Sequence, residues 1–220
     1  MVRKQFVIIG LGRFGRSVAK TLFSLGHDVM VIDQNAELIQ DIADSVTHAV
    51  QMDATDENTL KTLGIRNFDV AVVTIGTNLQ GSVMATLVLK ELGIKHIIAK
   101  ANNDLHAKVL YKIGADRVIL PEKDMGVRIA HNLVSNSIVD YIELSPDYSI
   151  MEIKALDEWT GKSLSEIELR AKYGINVIAI KQKNDINIIP GANGIVREED
   201  IIVAIGSAKD FNKLEESIVR

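Results

Sequence analysis

A chain of 220 residues that is 47% hydrophobic and 25% charged has the composition of a globular protein, with room for one large domain or two modest ones. Its net charge of −4 argues against a broad nucleic-acid or anionic-membrane surface, and the absence of cysteine excludes disulfides, thiolate metal sites and cysteine nucleophiles. An apolar strand beginning by about residue 5 leaves no room for a signal peptide, and no apolar stretch approaches the roughly 18 residues of a spanning helix. A soluble cytoplasmic protein is expected, with any membrane role exercised through a partner.

Apolar runs at 6–9, 29–32, 46–50, 70–75, 96–99 and 117–120 alternate with helix-period segments near 13–25, 35–44, 56–63, 78–92 and 104–113. Leu79, Val83 and Leu87 mark the expected buried face of the fourth helix. Gly26, Gly64, Gly93 and Gly114 each follow a helix, as a C-terminal stop should. Six strands separated by helices predict an α/β fold with a doubly wound, parallel, Rossmann-like sheet and right-handed crossovers.

The first strand-to-helix turn spells Gly10-Leu11-Gly12-Arg13-Phe14-Gly15, a G-x-G-x-x-G pattern. Gly10 suits the tight turn, Gly12 admits a phosphate to bare backbone, and Gly15 lets helix and strand pack closely. The next strand ends in Asp33, followed by Gln34 and Asn35; an acid about 20 positions on can accept from a ribose hydroxyl. The plain alternative is a Gly-rich turn with a helix-capping Asp. Arg13 in the first helical turn opposes the macrodipole unless an anion reverses the sign, and a triphosphate gains more from a guanidinium than a dinucleotide does. This tilts the expectation towards ATP or ADP over NAD(H).

The remaining strand ends line the same predicted edge: Asp53-Ala54-Thr55, then Ile75-Gly76-Thr77 after Thr74, then Lys100-Ala101-Asn102 with His106 a turn later, then Pro121-Glu122. Asp53 suits an adenine or ribose donor and Ala54 leaves space for a flat ring. Helix capping explains many Asp, Asn and Thr residues at such places equally well. Glu122 is a hard oxygen ligand for Mg²⁺ or Ca²⁺ beside phosphates, though one carboxylate is not a complete metal site.

A helix over 121–134, with Met125, Ile129 and Leu133 on one face, closes a domain of residues 1–134. Residues 135–147 are expected as a boundary segment, leaving 135–220 as linker and C-terminal α+β module. That module reads as a strand at 149–156, a helix capped by Ser163 with Glu166 in a capping box, and a hairpin of 176–180 and 186–189 joined by polar residues including Asn184 and Asp185. A loop at 190–194, a strand at 200–205 and a helix at 207–217 complete it. About 75 residues is near the lower size for a lone core, so pairing with a second copy is expected.

Taken with Asp33, Asp53-Ala54-Thr55, Lys100-Ala101-Asn102, the run from Ile113 to Arg117 and Pro121-Glu-Lys-Asp-Met-Gly126, the glycine string resembles the RCK (TrkA-type) regulatory subunits of bacterial potassium channels and transporters, the Ktr potassium-uptake system among them. The resemblance spans nearly the whole chain. It implies a non-enzymatic gating subunit that binds ATP and ADP, or NAD(H) in some relatives, at the sheet edge. It implies dimers assembled into an octameric ring that controls a separate membrane potassium-translocating subunit. It implies that Arg13 reaches a terminal phosphate across a dimer interface and that Glu122 holds a divalent cation. It also implies a cyclic di-AMP site between two C-terminal modules, carried over to Arg170, Asn176 and Pro190, where an apolar groove from Ile175 and Ile178 suits plain dimer core equally well. The alternative from the first 130 residues is a small NAD(P)-dependent oxidoreductase, against which stands the lack of a proton donor other than His106.

Overall fold

The structure, a computed structural model, describes residues 2–134, 138–145, 147–183 and 185–218. It divides into two units, residues 1–122 and 123–220, so the division falls within the first turn of the helix that the sequence suggested would close the first domain.

In the first unit, strands β1 (Gln5–Ile9), β2 (Asp28–Asp33), β3 (His48–Gln51), β4 (Val70–Val73), β5 (His96–Lys100) and β6 (Arg117–Ile119) form one parallel sheet ordered β3-β2-β1-β4-β5-β6. Between them run α1 (Arg13–Ser24), α2 (Ala36–Ile42), α3 (Glu57–Thr62), α4 (Leu79–Glu91) and α5 (Asp104–Lys112). Both sheet faces are buried, which is why the strands read as unbroken apolar runs. One core holds Val7, Ile9, Val73 and Leu89, and the other Ile8, Val29, Val31 and Val72. The strand order reverses between β1 and β4, opening a crevice at the carboxyl ends there.

The buried face of α4 differs from the expected one. Gly81, Ser82, Ala85, Val88 and Leu89 face inward, whereas Leu79 is exposed and Val83 packs only partly. This helix is apolar nearly all round, so spacing alone does not choose a face; small residues win because they let the helix lie close to the sheet.

The second unit begins with α6 (Pro121–Val134), whose first two residues still belong to the first. Strands β7 (Ile138–Ser145), β8 (Tyr148–Lys154), β9 (Asn176–Gln182), β10 (Asp185–Asn187) and β11 (Ile201–Ser207) form an antiparallel sheet ordered β10-β9-β11-β8-β7. Helices α7 (Leu164–Ile167), α8 (Leu169–Tyr173) and α9 (Ala208–Ile218) accompany it. Ser163 and Glu166 make the expected capping box at α7. Trp159, Ile175, Ile180, Ile202 and Phe211 form the core.

Most of the supposed boundary segment is therefore strand. β7 pairs with β8 through an interrupted register, and the interruptions break the alternation that would have revealed it. Residues 135–137 and Pro146 of that segment, and Asn184 of the hairpin turn, lie outside the described residues. The hairpin's second strand is shorter than expected, stopping at Asn187 and leaving Ile188 and Ile189 as exposed loop, 70% and 83% accessible. Met125, Ile129 and Leu133 of α6 are likewise exposed.

A bidentate ion pair joins α6 to the sheet: Arg128 Nε donates to Asp140 Oδ1 at 2.7 Å and a terminal nitrogen donates to Oδ2. The Arg128 guanidinium beside it holds the Asp140 carboxyl down to about 2, from an ordinary 3.8. Because the folded value lies below the unfolded one, this pair's contribution is complete above about pH 4 and lost as pH falls towards 2. Denaturation of Asp140→Asn as a function of pH should show a shallower loss of stability between pH 4 and 2 than the parent chain.

Candidate functional site

The carboxyl edge of the parallel sheet gathers the loop after each strand, and the glycine string sets its centre. Gly10 takes φ +95°, and its N–H donates to Ile32 O at 2.8 Å. A Cβ at Gly15 would stand 2.1 Å from Gly10 O and 2.4 Å from Thr74 Oγ1, so only glycine allows this approach of helix to strand. The buried Thr74 hydroxyl completes the junction, donating within reach of Gly10 O at 2.5 Å and Ile9 O at 3.1 Å. The sequence placed Thr74 at this strand end without giving it a role; a polar residue closing an otherwise apolar strand was the signal for one.

Gly12 differs from its two neighbours. Its φ of −61° is open to any residue and a Cβ there would meet nothing within 4 Å. It occupies the N-cap of α1 without a side-chain cap, and the first turn holds no acid. Helices α2, α3, α4 and α5 are instead capped by Asn35, Asp56, Asn78 and Asn103. At α1 the free N–H groups and the positive dipole end face outward, flanked by an exposed Arg13 that pairs with nothing among the described residues, and by half-buried Phe14.

Asp33 clamps this loop. Leu11 N–H donates to its Oδ2 at 2.6 Å and Asn35 N–H to its Oδ1 at 2.8 Å, leaving lone pairs on each oxygen for a further donor. Asn35 is the α2 cap, its Oδ1 accepting from Glu37 N–H at 2.9 Å. Asp53 accepts from both the N–H and the hydroxyl of Thr55, at 2.8 and 2.7 Å, which holds its carboxyl below the usual range, helped by the Gln34 side chain. Ala54 and Ala101 are buried in the core, so at this edge each presents backbone rather than a methyl group.

Across the crevice, Ile75 is half-buried, Thr77 is exposed and Asn102 Nδ2 donates to Gly76 O. A Cβ on Gly76 would lie 3.8 Å from Lys100 Nζ and 3.9 Å from Asn102 Oδ1, so bare backbone, ammonium and amide converge there. Lys100 Nζ meets Glu122 Oε1 at 2.5 Å, and its ammonium holds the Glu122 carboxyl below the usual range. His106 stands behind the edge rather than on it, 2% exposed, with Nδ1 accepting from Asn102 N–H at 3.4 Å and Nε2 buried without a hydrogen-bond partner. Burial pushes the imidazole below its ordinary value, towards the neutral form that this contact requires.

The edge thus fits a phosphate-bearing ligand: an open helix terminus, a cation beside it and acceptors for a sugar. For a divalent cation the chain offers the exposed oxygens of Glu122, and no cluster of three or more potential ligand side chains exists among the described residues. Phosphate oxygens would have to complete the shell.

In the second unit Arg170 and Asn176 are exposed and Pro190 is half-buried. Ile175 is fully buried in its own module's core, which removes it from the expected groove, while Ile178 stays partly exposed.

The TrkA-N domain model matches residues 6–121 and the TrkA-C domain model residues 149–219. The chain is 47% identical over 218 residues to Ktr system potassium uptake protein C of Bacillus subtilis, covering 99% of each chain. It is 49% identical over 212 residues to Ktr system potassium uptake protein A of the same organism, covering 96% of each. Among solved structures, a GsuK channel bound to NAD shares the fold at TM-score 0.68 and 19% identity, over 97% of this chain but 39% of that longer one.

Stability measurements separate the fold's glycine from the ligand's. In denaturant titrations, Gly15→Ala should cost about 3 kcal/mol or more by overpacking, whereas Gly12→Ala should cost about 1 kcal/mol or less.

Proposed function

Because the chain belongs to the TrkA-type RCK family of potassium-uptake regulatory subunits, we propose that it senses nucleotide at the carboxyl edge of its parallel sheet and passes the signal to a membrane potassium-translocating subunit. The observation that carries this is the α1 terminus. It alone among α1–α5 has no side-chain cap, its Gly12 is unneeded by the fold, and it bears an arginine that is unpaired among the described residues, where the dipole disfavours one. A polyphosphate supplies the missing acceptor for the N–H groups and the guanidinium, and the bare Gly12 leaves room for it.

In this reading the phosphates rest on the N–H groups of Gly12 to Gly15, with Gly10 shaping the turn. Asp33 receives ribose hydroxyls, Gln34, Asn35, Asp53, Ala54 and Thr55 border the nucleoside, and Ile75, Gly76, Thr77, Lys100, Ala101 and Asn102 form the opposite wall. ATP and ADP are favoured over NAD(H) because Arg13 adds charge where a dinucleotide needs none. Arg13 reaches the terminal phosphate from a neighbouring subunit, and Glu122 with the phosphate oxygens holds Mg²⁺ or Ca²⁺. The γ-phosphate then stabilises one dimer angle that ADP does not, and a ligand shifts an equilibrium by just such a differential affinity.

The uncovered apolar side chains of α6 and of the 186–195 stretch support assembly of dimers into a ring, proposed as an octamer at the inner face of the cell membrane. No helix of the described residues is long and apolar enough to cross that membrane, so attachment runs through the pore subunit. Arg170, Asn176 and Pro190 are proposed to bind cyclic di-AMP between two C-terminal modules. The relatives are potassium uptake proteins, and His106 is buried with its Nδ1 engaged, so a hydride-transferring enzyme is the poorer reading.

Calorimetry with ATP, ADP, NADH and cyclic di-AMP tests the assignment. ATP should bind more tightly than ADP, and Arg13→Ala should cut that difference about tenfold or more while leaving ADP affinity nearly intact. Identical scattering profiles with ATP and ADP would count against switching.

A further inference from the structure

A crossed pair of hydrogen bonds closes the turn from β5 into α5. Asn103, the N-cap of α5, accepts from His106 N–H through its Oδ1 at 2.8 Å, and His106 Nδ1 accepts from Asn102 N–H at 3.4 Å. This is the logic of a capping box, in which the third helical residue reaches back to the start of its own helix. Glutamate or glutamine usually fills that place. Here it is a buried imidazole, 2% exposed, whose ordinary protonation range lies near neutrality. Asn102 in turn donates through Nδ2 to Gly76 O, so the clasp reaches across to the loop after β4 and sets one wall of the proposed nucleotide crevice.

With Nδ1 accepting, the imidazole is neutral and carries its proton on Nε2, which is buried without a hydrogen-bond partner among the described residues. A second proton would turn Nδ1 into a donor facing the Asn102 N–H and would leave a buried cation. No neighbouring charge offsets that cost. α4 carries no charged residue before Lys90, which pairs with Asp116. β5 holds His96 at its start and Lys100 at its end, the latter paired with Glu122, and β6 offers only Arg117, at its opposite end. α5 itself bears Asp104, Lys108 and Lys112. Burial alone shifts the imidazole, downwards, and none of these groups contributes.

We infer that His106 is the positioning residue of this wall and links nucleotide affinity to pH: its neutral imidazole holds Asn102 against Gly76, and a proton taken up at Nδ1 releases it. This deepens the nucleotide reading above and rests on it. In this role His106 touches no phosphate or sugar and acts through Asn102. Because the clasped form holds its imidazole below the ordinary 6.5, affinity is complete well above that pH and falls as pH drops below it. In that range the released imidazole gains a proton that the clasped one refuses, and nucleotide binding expels that proton to solvent.

The test is calorimetric titration of the full chain with ATP and with ADP at about pH 7.5 and about pH 5.5, in the parent, His106→Gln and His106→Leu. Protonation of the nucleotide's own phosphates affects every chain alike, so the comparison between chains isolates the histidine. Over that range the parent should lose about fivefold or more in affinity beyond the loss shown by His106→Gln. His106→Leu, which fills the site without an acceptor, should bind about fivefold or more weakly than the parent at the higher pH. His106→Gln, whose amide oxygen can accept from Asn102 N–H, should recover most of that loss without recovering the pH dependence. Should thermal melting show His106→Leu to be poorly folded, NMR titration of the parent's His106 imidazole, assigned by its loss in His106→Gln, stands in: its midpoint should move downwards when ATP or ADP binds. Parallel pH profiles for the parent and His106→Gln, or a His106 midpoint that nucleotide leaves unchanged, would overturn the inference. Failure of the parent chain itself to bind ATP, ADP or NADH at either pH would instead bring down the nucleotide reading beneath it.

Discussion

The buried Thr74 hydroxyl, set against the carbonyl oxygens of Ile9 and Gly10, fixes the geometry on which the proposed nucleotide edge depends. It ties the end of β4 to the turn after β1 across the point where the strand order reverses. Gly15 then brings α1 so near that a methyl group would collide with both partners. Helix, turn and two central strands become one rigid junction, and the free N–H groups of α1 are aimed at the crevice without a side chain to satisfy them. Asp33 secures the same turn from β2 by accepting from Leu11 N–H. Rigidity here matters because a charge-sensing site can discriminate one phosphate only if its donors do not follow the ligand.

Charge is distributed around that junction in a way that makes sense for a shared polyanion. Arg13 stands alone on one side, and the Lys100–Glu122 pair closes on itself on the other. Among the described residues Arg13 is thus unpaired while Lys100, at the end of β5, is neutralised by Glu122 at the start of α6, where the chain passes from the first unit into the second. Within the second unit the same helix is fixed to the sheet by Arg128 and Asp140.

Much of the first unit was legible in the sequence, because strands buried on both faces read as continuous apolar runs and the glycine string has a mechanical meaning at each position. The loops of the candidate edge were legible, but not their individual contacts. Asn35 serves first as a helix cap, Asp53 closes a turn on Thr55, and His106 retreats behind Asn102. Spacing cannot tell an exposed imidazole from a buried one. The face of α4 was misjudged because apolar residues surround it, and β7 was missed because bulges break its alternation. Ile175 was assigned to a groove when its own module's core takes it entirely. In each instance tertiary packing decided among options that local pattern left equal.

The most direct test is a structure of the chain with ATP bound, because the account's central claim is positional. It predicts the phosphates within hydrogen-bonding reach of the Gly12–Phe14 N–H groups, with a guanidinium of Arg13, from the same or an adjacent subunit, on the terminal phosphate. ATP seated elsewhere, or bound at this edge with its phosphates turned to solvent and Arg13 unengaged, would contradict it.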